Sequence, residues 1–122
     1  MPAALRARIV TALGHTRVYW TIVPQAAAFP YVRMQVVSDI RPEHLGGYDG
    51  ARVSRVQVDI FAATYSEARS ASETMIAALA TPATANGVQF GRIKAEGPRD
   101  LGEDTSTGFT HRASTDLLVE HR

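Results

Sequence analysis

Two aspartates and one arginine are the residues of this sequence best suited to acid–base chemistry. Asp59 and Asp116 each lie in the middle of a predicted strand, and Arg112 precedes Asp116 by four residues. Two carboxylates beside a guanidinium can transfer protons or bind a small polar ligand. All three fall on the predicted polar faces of their strands, where a carboxylate is ordinarily solvated. Two interpretations stay open: a small enzyme or ligand-binding domain that uses this face as a pocket, or a polar sheet face without catalysis.

Other patterns of catalysis and metal binding are missing from the sequence. No two of the four histidines (His15, His44, His111 and His121) have the i, i+4 spacing of a helical metal site, and there is no cysteine. No serine lies in G-x-S-x-G, and the glycine-rich stretch from Gly46 to Gly50 lacks the G-K-[ST] ending of a phosphate-binding loop. The sequence therefore predicts no metal, no cofactor and no covalent nucleophile.

Basic residues recur along neighbouring predicted strands and form a further candidate site. They are Arg52, Arg55, Arg92, Lys94 and Arg112. A basic strip of this kind can contact phosphates. The strands around it, however, offer only three phenylalanines for stacking on bases. We therefore favour a polar sheet face or a subunit interface with carboxylates opposite the basic side chains.

Length and composition predict one globular domain. The chain has 122 residues, of which 45% are hydrophobic and 20% charged, and its formal net charge is +1. This charge provides no general basic surface for nucleic acid. No run of 18 apolar residues is present, and arginines interrupt the apolar residues at the start of the chain. We expect a soluble protein without a secretion signal or a contact with membranes.

The hydrophobic pattern changes period along the chain and so predicts helices and strands. Helical spacing over residues 3–13 ends at Gly14, and a second helix runs from the capping box of Thr64 and Glu67 to about Ala80. Strands are predicted at Tyr31–Ser38, Arg52–Ala62, Val88–Glu96 and Phe109–Val119, with a possible short strand within Thr16–Val23. The stretches 39–51 and 97–108 are predicted as long loops. The expected fold class is α+β: a single antiparallel or mixed sheet of four to five strands with two helices packed on one face.

Three segments in succession carry a resemblance to a known family. They are RVYWTIVPQA with PYVRMQVVS (within Arg17 to Ser38), RVQVDIFAATYSEAR (Arg55 to Arg69) and TGFTHRASTDLLV (Thr107 to Val119). Together the sequence resembles the tail-completion, or tail-terminator, family of long-tailed phages and gene transfer agents. The likeness follows nearly the whole chain in order. Phe61 stands where members often carry tryptophan, which keeps an aromatic ring at that position.

The resemblance implies a structural virion protein rather than an enzyme. Members of this family usually assemble, in the host cytoplasm, as a hexameric ring on the head-proximal end of the tail tube. The ring stops tube polymerisation and joins the tail to the head. The implied partners are further copies of the chain, the major tail tube protein and a head-neck connector protein. DNA is a transient passenger through the lumen.

The two predicted loops supply the candidate residues for these contacts. The first loop and its borders are expected to contact neighbouring subunits or axial partners through Asp39, Arg41, Glu43, His44, Tyr48, Asp49 and Arg52. The second loop supplies lumen candidates, namely Asp100, Glu103 and Asp104. Arginine or lysine pointing into the lumen would hold DNA phosphates, whereas acidic or neutral side chains favour passage. The other interpretation of these three carboxylates is that they solvate an outer loop.

Overall fold

Two helices and seven strands make up the part of the chain that the structure describes. The structure is a computed structural model and describes residues 1–24, 28–40, 52–105 and 108–122. The elements in chain order are α1 (Pro2–Leu13), β1 (Val18–Trp20), β2 (Tyr31–Ile40), β3 (Arg52–Ala62), α2 (Tyr65–Leu79), β4 (Ala83–Ala85), β5 (Val88–Phe90), β6 (Lys94–Thr105) and β7 (Gly108–His121). The α+β class is therefore confirmed.

Local sequence signals set the ends of both helices. After α1, Gly14 adopts the left-handed conformation with φ 77°, and its N–H donates to the carbonyl of Val10 at 2.9 Å. Before α2, the hydroxyl oxygen of Thr64 accepts a hydrogen bond from the backbone N–H of Glu67 at 3.2 Å. Each contact satisfies a backbone group that the helix itself leaves unpaired. The predicted end of α1 and the predicted cap of α2 are confirmed.

The Thr64 cap gives a direct stability test. We expect Thr64→Ala to lower the free energy of unfolding by about 1 kcal/mol, because the N–H of Glu67 loses its acceptor. Urea unfolding followed by circular dichroism measures the change. Ser66→Ala is the matched control: this serine is exposed in the first turn of the same helix. Equal losses in the two variants would contradict a capping role for Thr64.

The sheet is mixed and has two lateral edges. β2, β3 and β7 pair antiparallel in its centre, and β1 lies parallel to β2 along one side. On the other side, β6 runs antiparallel to β7. β5 also pairs with the last residues of β7, and β4 pairs antiparallel with the free side of β5. We call the side formed by α1 and β1 the α1/β1 edge. The side formed by β6, which α2 contacts, is called the α2/β6 edge.

The expectation of four to five strands is wrong, because the described residues alone form a sheet of seven. The predicted strand Val88–Glu96 is two strands, β5 and the start of β6, separated by residues 91–93. The predicted loop 97–108 is instead the rest of β6, which pairs with β7 as far as Thr105 opposite Gly108. Among the described strands β6 pairs with β7 alone, and most of its described side chains are exposed. No alternation of apolar residues is therefore needed there, and the sequence carries no strand signal.

Both helices pack on the same face of the sheet, as predicted. Leu5 and Ile9 of α1 and Met75 and Leu79 of α2 share one buried cluster with the inward-facing side chains of the central strands. Those strand residues are Val32, Met34, Val56, Val58, Ile60, Leu117 and Val119. The alternation predicted for β2, β3 and β7 thus fills the core, and neither helix of the described ranges lies on the opposite face of the sheet.

Arg8 joins the two helices at their C-terminal halves. Its guanidinium donates to the carbonyls of Thr81 at 2.8 Å and of Ala78 at 3.4 Å, and it lies 5.2 Å from the centre of the Phe90 ring. The Ala78 carbonyl lies in the last turn of α2 and the Thr81 carbonyl just beyond it, where the helix dipole favours a cation. Burial lowers the pKa of Arg8 from its ordinary value. The contact ties α1 to α2 and to the β4–β5 hairpin.

Candidate functional surfaces

The face of the sheet opposite the helices, here called the open face, carries ion pairs between adjacent strands. Arg33 of β2 and Asp59 of β3 lie directly opposite in the register, and Nη2 of Arg33 is 3.0 Å from Oδ2 of Asp59. Gln57 donates to the same carboxylate at 3.2 Å and 3.3 Å. Asp59 is only 2% exposed. The expectation that Asp59 is solvated is therefore wrong, because the neighbouring long side chains cover it.

A second carboxylate of the open face lies among arginines of two flanking strands. Asp116 of β7 is 3.4 Å from Nη1 of Arg55 in β3 and 3.5 Å from Nη2 of Arg99 in β6. Arg55 also reaches Glu96 across the sheet at 3.2 Å. Carboxylates thus lie opposite Arg55, as predicted for a polar sheet face.

Aromatic rings extend the open face beyond the ion pairs. Phe29, Tyr31 and Phe61 stack in a row, with ring centres 5.5 Å and 4.8 Å apart. The guanidinium groups of Arg33 and Arg112 lie 5.4 Å and 6.0 Å from the centre of the Phe61 ring, which is buried. The arginines of this surface therefore have ring and carboxylate partners within the same chain.

The geometry does not favour the enzyme interpretation of Asp59, Arg112 and Asp116. Asp59 is buried and bonded to Arg33, and Asp116 lies between Arg55 and Arg99. Arg112 rests on the Phe61 ring, away from a shared pocket with both aspartates. The face fits a structural surface better than a catalytic one.

The histidines of the described chain lie far apart along the fold. His15 follows α1, His111 contacts the Tyr65 ring edge-on at 6.5 Å, and Nε2 of His121 lies 2.9 Å from the hydroxyl of Ser54. Within the ranges that the structure describes, no three histidine or acidic side chains gather as a metal site. His44 lies outside those ranges.

His15 makes part of the stability of the chain depend on pH. Its Nδ1 accepts a hydrogen bond from the backbone N–H of Arg17 at 3.2 Å. Burial, and then the charge of Arg17, lower the pKa of His15 from its ordinary value of 6.5. The unfolded chain therefore binds this proton more readily, so the stabilisation is complete above pH 6.5 and is lost as the pH falls through the lower folded-state pKa.

A variant isolates this contribution. We expect His15→Asn, whose side-chain oxygen can accept the same N–H, to lose less stability than the wild type between pH 7.5 and pH 5. Urea unfolding at the two pH values measures the difference. His111→Asn serves as the control for histidine replacement in general. The same acid loss in wild type and His15→Asn would contradict the assignment to His15.

The structure separates the two sets of residues that the sequence analysis assigned to assembly. Arg52 begins β3 and pairs with His121 at one end of the sheet, where Asp39 pairs with Ser54. Glu103 and Asp104 pair with Thr110 and Phe109 at the opposite end, beyond the last residue of β3. Asp100 lies nearer the sheet centre and forms an ion pair with Arg69 of α2 at 3.5 Å. Arg41, Glu43, His44, Tyr48 and Asp49 lie outside the described residues.

The open face presents paired charges and stacked rings, which indicates an interaction or structural protein. A sequence model of the family "Tail completion protein gp17" matches residues 1–117. The chain belongs to this family of tail-completion proteins, and so is a structural protein of the virion tail rather than an enzyme.

Solved structures show the same fold. One similar chain comes from a structure entitled "Virion of native gene transfer agent (GTA) particle", with 15% identity, a TM-score of 0.64 and coverage of 98% of this chain and 94% of that one. A second solved chain is 17% identical, with a TM-score of 0.52 and coverage of 97% and 92%. No curated protein matches significantly. Neither α1 nor α2 has the length and hydropathy required to cross a lipid bilayer, and the described ranges contain no other helix.

Carboxylates opposite the basic side chains of the open face were predicted, but the Arg33–Asp59 pair was not. The paired residues of the open face lie 17 to 61 positions apart along the chain, so no local motif connects them. The available signal was the register: once β2, β3 and β7 are aligned by their apolar residues, Arg33 falls opposite Asp59. Cross-strand charge pairing follows from that alignment.

Proposed function

We propose that this chain forms a ring at the head-proximal end of the tail tube, where it ends tube polymerisation and joins the tail to the head. The observation that carries the proposal is the family match over residues 1–117, which leaves only the last few residues outside it. The lack of a catalytic arrangement on the open face agrees with a structural role.

The ring is a closed cyclic assembly of identical subunits, and a hexamer is the expected size. Identical chains form such a ring when one surface of each copy binds a different surface of the next and the rotation closes. The partners are then further copies of the chain, the major tail tube protein on one side and a head-neck connector on the other. DNA crosses the lumen as a passenger.

The two ends of the sheet are proposed to meet different partners. The end that carries Asp39 and Arg52 is opposite the end that carries Glu103 and Asp104. One partner cannot easily reach both ends, because β7 alone has 14 residues and spans roughly 45 Å. We assign the first end, with the stretch from Arg41 to Asp49, to contacts with neighbouring or axial proteins.

The second end is proposed to border the lumen through Glu103 and Asp104. Acidic side chains there repel phosphates and favour the passage of DNA. Asp100 is left out of this assignment, because its carboxylate lies beside Arg69 of α2. A density map of the particle whose inner wall is formed by Arg41, Arg52 or Arg92 would contradict the repulsion argument.

Deletion of the coding sequence tests the role of the chain at the end of the tube. We expect particles without the protein to have tails of irregular, excessive length that lack heads, because nothing stops the tube subunits from adding. Negative-stain electron microscopy measures tail length and head attachment. Complementation with the wild-type chain restores both, and Ser66→Ala serves as a surface-substitution control. Tails of normal length joined to heads in the deletion strain would overturn the proposal.

A further inference from the structure

The first 38 residues carry arginines but no acidic residue. Four arginines lie in this stretch, and the first acidic residue is Asp39. Arg33 pairs with Asp59 and Arg8 contacts the end of α2, so Arg6 and Arg17 are the cations of the α1/β1 edge. Arg6 donates to the carbonyls of Val18 and Thr16 at 2.8 Å and 2.9 Å, and Arg17 donates to the carbonyl of Pro30 at 2.9 Å. Because carbonyls carry no net charge, these bonds leave the positive charge of the α1/β1 edge uncompensated.

The opposite edge has the opposite charge. Together α2 and β6 contain six acidic and three basic residues, a net charge of −3. The acidic residues are Glu67, Glu73, Glu96, Asp100, Glu103 and Asp104. Arg69 lies 3.5 Å from both Glu73 and Asp100, so one cation is shared between two carboxylates. The near-neutral chain therefore has two lateral edges of opposite charge.

An isoleucine projects from the α1/β1 edge. Ile22 follows β1 and is 80% exposed, the highest exposure among the large hydrophobic side chains of the described residues. Its backbone is held in place: the N–H of Thr21 donates to the carbonyl of Met34 at 2.8 Å, and the N–H of Ile22 donates to the carbonyl of Trp20. An apolar side chain held out into water is a candidate contact residue.

A groove on the α2/β6 edge has matching chemistry. It has a volume of about 200 Å³ and lies between the start of α2 and the β6–β7 hairpin, where Asp100, His111 and Arg112 also line it. Tyr65 and Leu101, which are 50% and 41% exposed, border the groove. An aliphatic side chain that entered between these two residues would remove three apolar surfaces from water at once.

We propose that the α1/β1 edge of one copy, led by Ile22, docks on the groove between Tyr65 and Leu101 at the α2/β6 edge of the next copy. This inference rests on the proposed ring, and it names the surfaces that form it. The two surfaces differ and lie on opposite sides of the subunit, so the contact is head to tail, as a closed ring requires. The opposite charges of the two edges attract and favour a second copy as the occupant.

Side chains, rather than an added strand, make this contact at β1. The carbonyl of Arg17 accepts from the N–H of Val32 in β2, so the next carbonyl along the strand, that of Val18, points away from the sheet. Arg6 already donates to this carbonyl and to that of Thr16. The exposed border of β1 is therefore blocked to pairing with another strand.

Disulfide trapping tests the contact, because the native chain has no cysteine to interfere. The double variant Ile22→Cys with Leu101→Cys is placed in the full chain and in the particles that carry it, and both are oxidised. Under non-reducing electrophoresis we expect a ladder of covalent oligomers that ends at the ring size. Each single variant carries one cysteine and can yield dimers at most.

Matched variants separate the proposed contact from random collision. Ile22→Cys with Thr84→Cys places the second cysteine on an exposed residue of β4, away from the groove, and we expect no ladder from it. Equal ladders from both pairs, dimers joined through Cys at position 22 alone, or no ladder would each overturn the proposed surfaces. Immunoblotting of the same particles shows whether the chain is incorporated, and so tests the proposed function independently of the contact. A chain present in the particles without a ladder refutes only the contact, and a chain absent from the particles refutes the tail function.

Discussion

Asp59→Asn is expected to lower the free energy of unfolding by about 2–3 kcal/mol. The change removes the charge that the buried carboxylate presents to Arg33, while the volume of the side chain stays nearly the same. The guanidinium then lies half-covered on the open face without a counterion, and Gln57 loses a charged acceptor. Urea unfolding of the two proteins at pH 7 measures the loss.

Two further variants show whether the loss comes from the ion pair. Glu96→Gln removes an exposed carboxylate that contacts Arg55, and we expect a change of less than about 0.5 kcal/mol. Adding Arg33→Met to Asp59→Asn removes the unpaired cation and should restore part of the lost stability. If Asp59→Asn and Glu96→Gln cost the same, burial of the Arg33–Asp59 pair has no energetic consequence.

Gly97→Ala is expected to destabilise the chain by about 2–4 kcal/mol. Gly97 interrupts the regular register between β6 and β7 with φ 118°, a conformation that residues with a side chain rarely adopt. A Cβ at this position would lie 3.0 Å from the carbonyl oxygen of Ser114 and 3.3 Å from the backbone nitrogen of Arg99. Both contacts are with backbone, which cannot move aside without breaking the pairing of the two strands.

Gly14→Ala provides the matched control for backbone strain alone. Gly14 also has a positive φ, 77°, but a Cβ there meets no atom within 4 Å. We expect this variant to lose about 1 kcal/mol. Thermal unfolding of both variants, followed by circular dichroism, separates strain from steric overlap. A loss at Gly97 no greater than the loss at Gly14 would show that the close approach of β6 to β7 has little effect on stability.

The sequence predicted those elements that bury one face and expose the other. In β3, for example, Val56, Val58 and Ile60 face the core. The helix ends were also predictable, because Gly14 and Thr64 are residue types that cap helices through their own backbone or side chain. The short strands are different, because three residues are too few to show a period. The sequence does carry a local signal for the turn between β4 and β5. Asn86 and Gly87 have positive φ, as the Asn-Gly pair of a tight hairpin requires.

The candidate surfaces were less predictable, because they depend on which strands are neighbours. Asp59 lies on the polar face, as predicted, but no local pattern indicated that it is buried beside Arg33. Asp100 was predicted as a loop residue, whereas the pairing of β6 with β7 brings it to Arg69 of α2. Distances along the sequence do not report such contacts. They appear only after the register of the sheet has been fixed by the hydrophobic core.

The long central strand β7 has a mechanical consequence. It pairs with β3 on one side and with β6 on the other along most of its length. The last paired residues of β2 and β3 lie at one end of the sheet, and those of β6 and β7 lie at the other. A force that pulls these ends apart acts parallel to the strands. The hydrogen bonds between the strands are then loaded together in shear. A force perpendicular to the strands would instead break them one after another. The subunit is therefore stiffest along the line that connects its two ends.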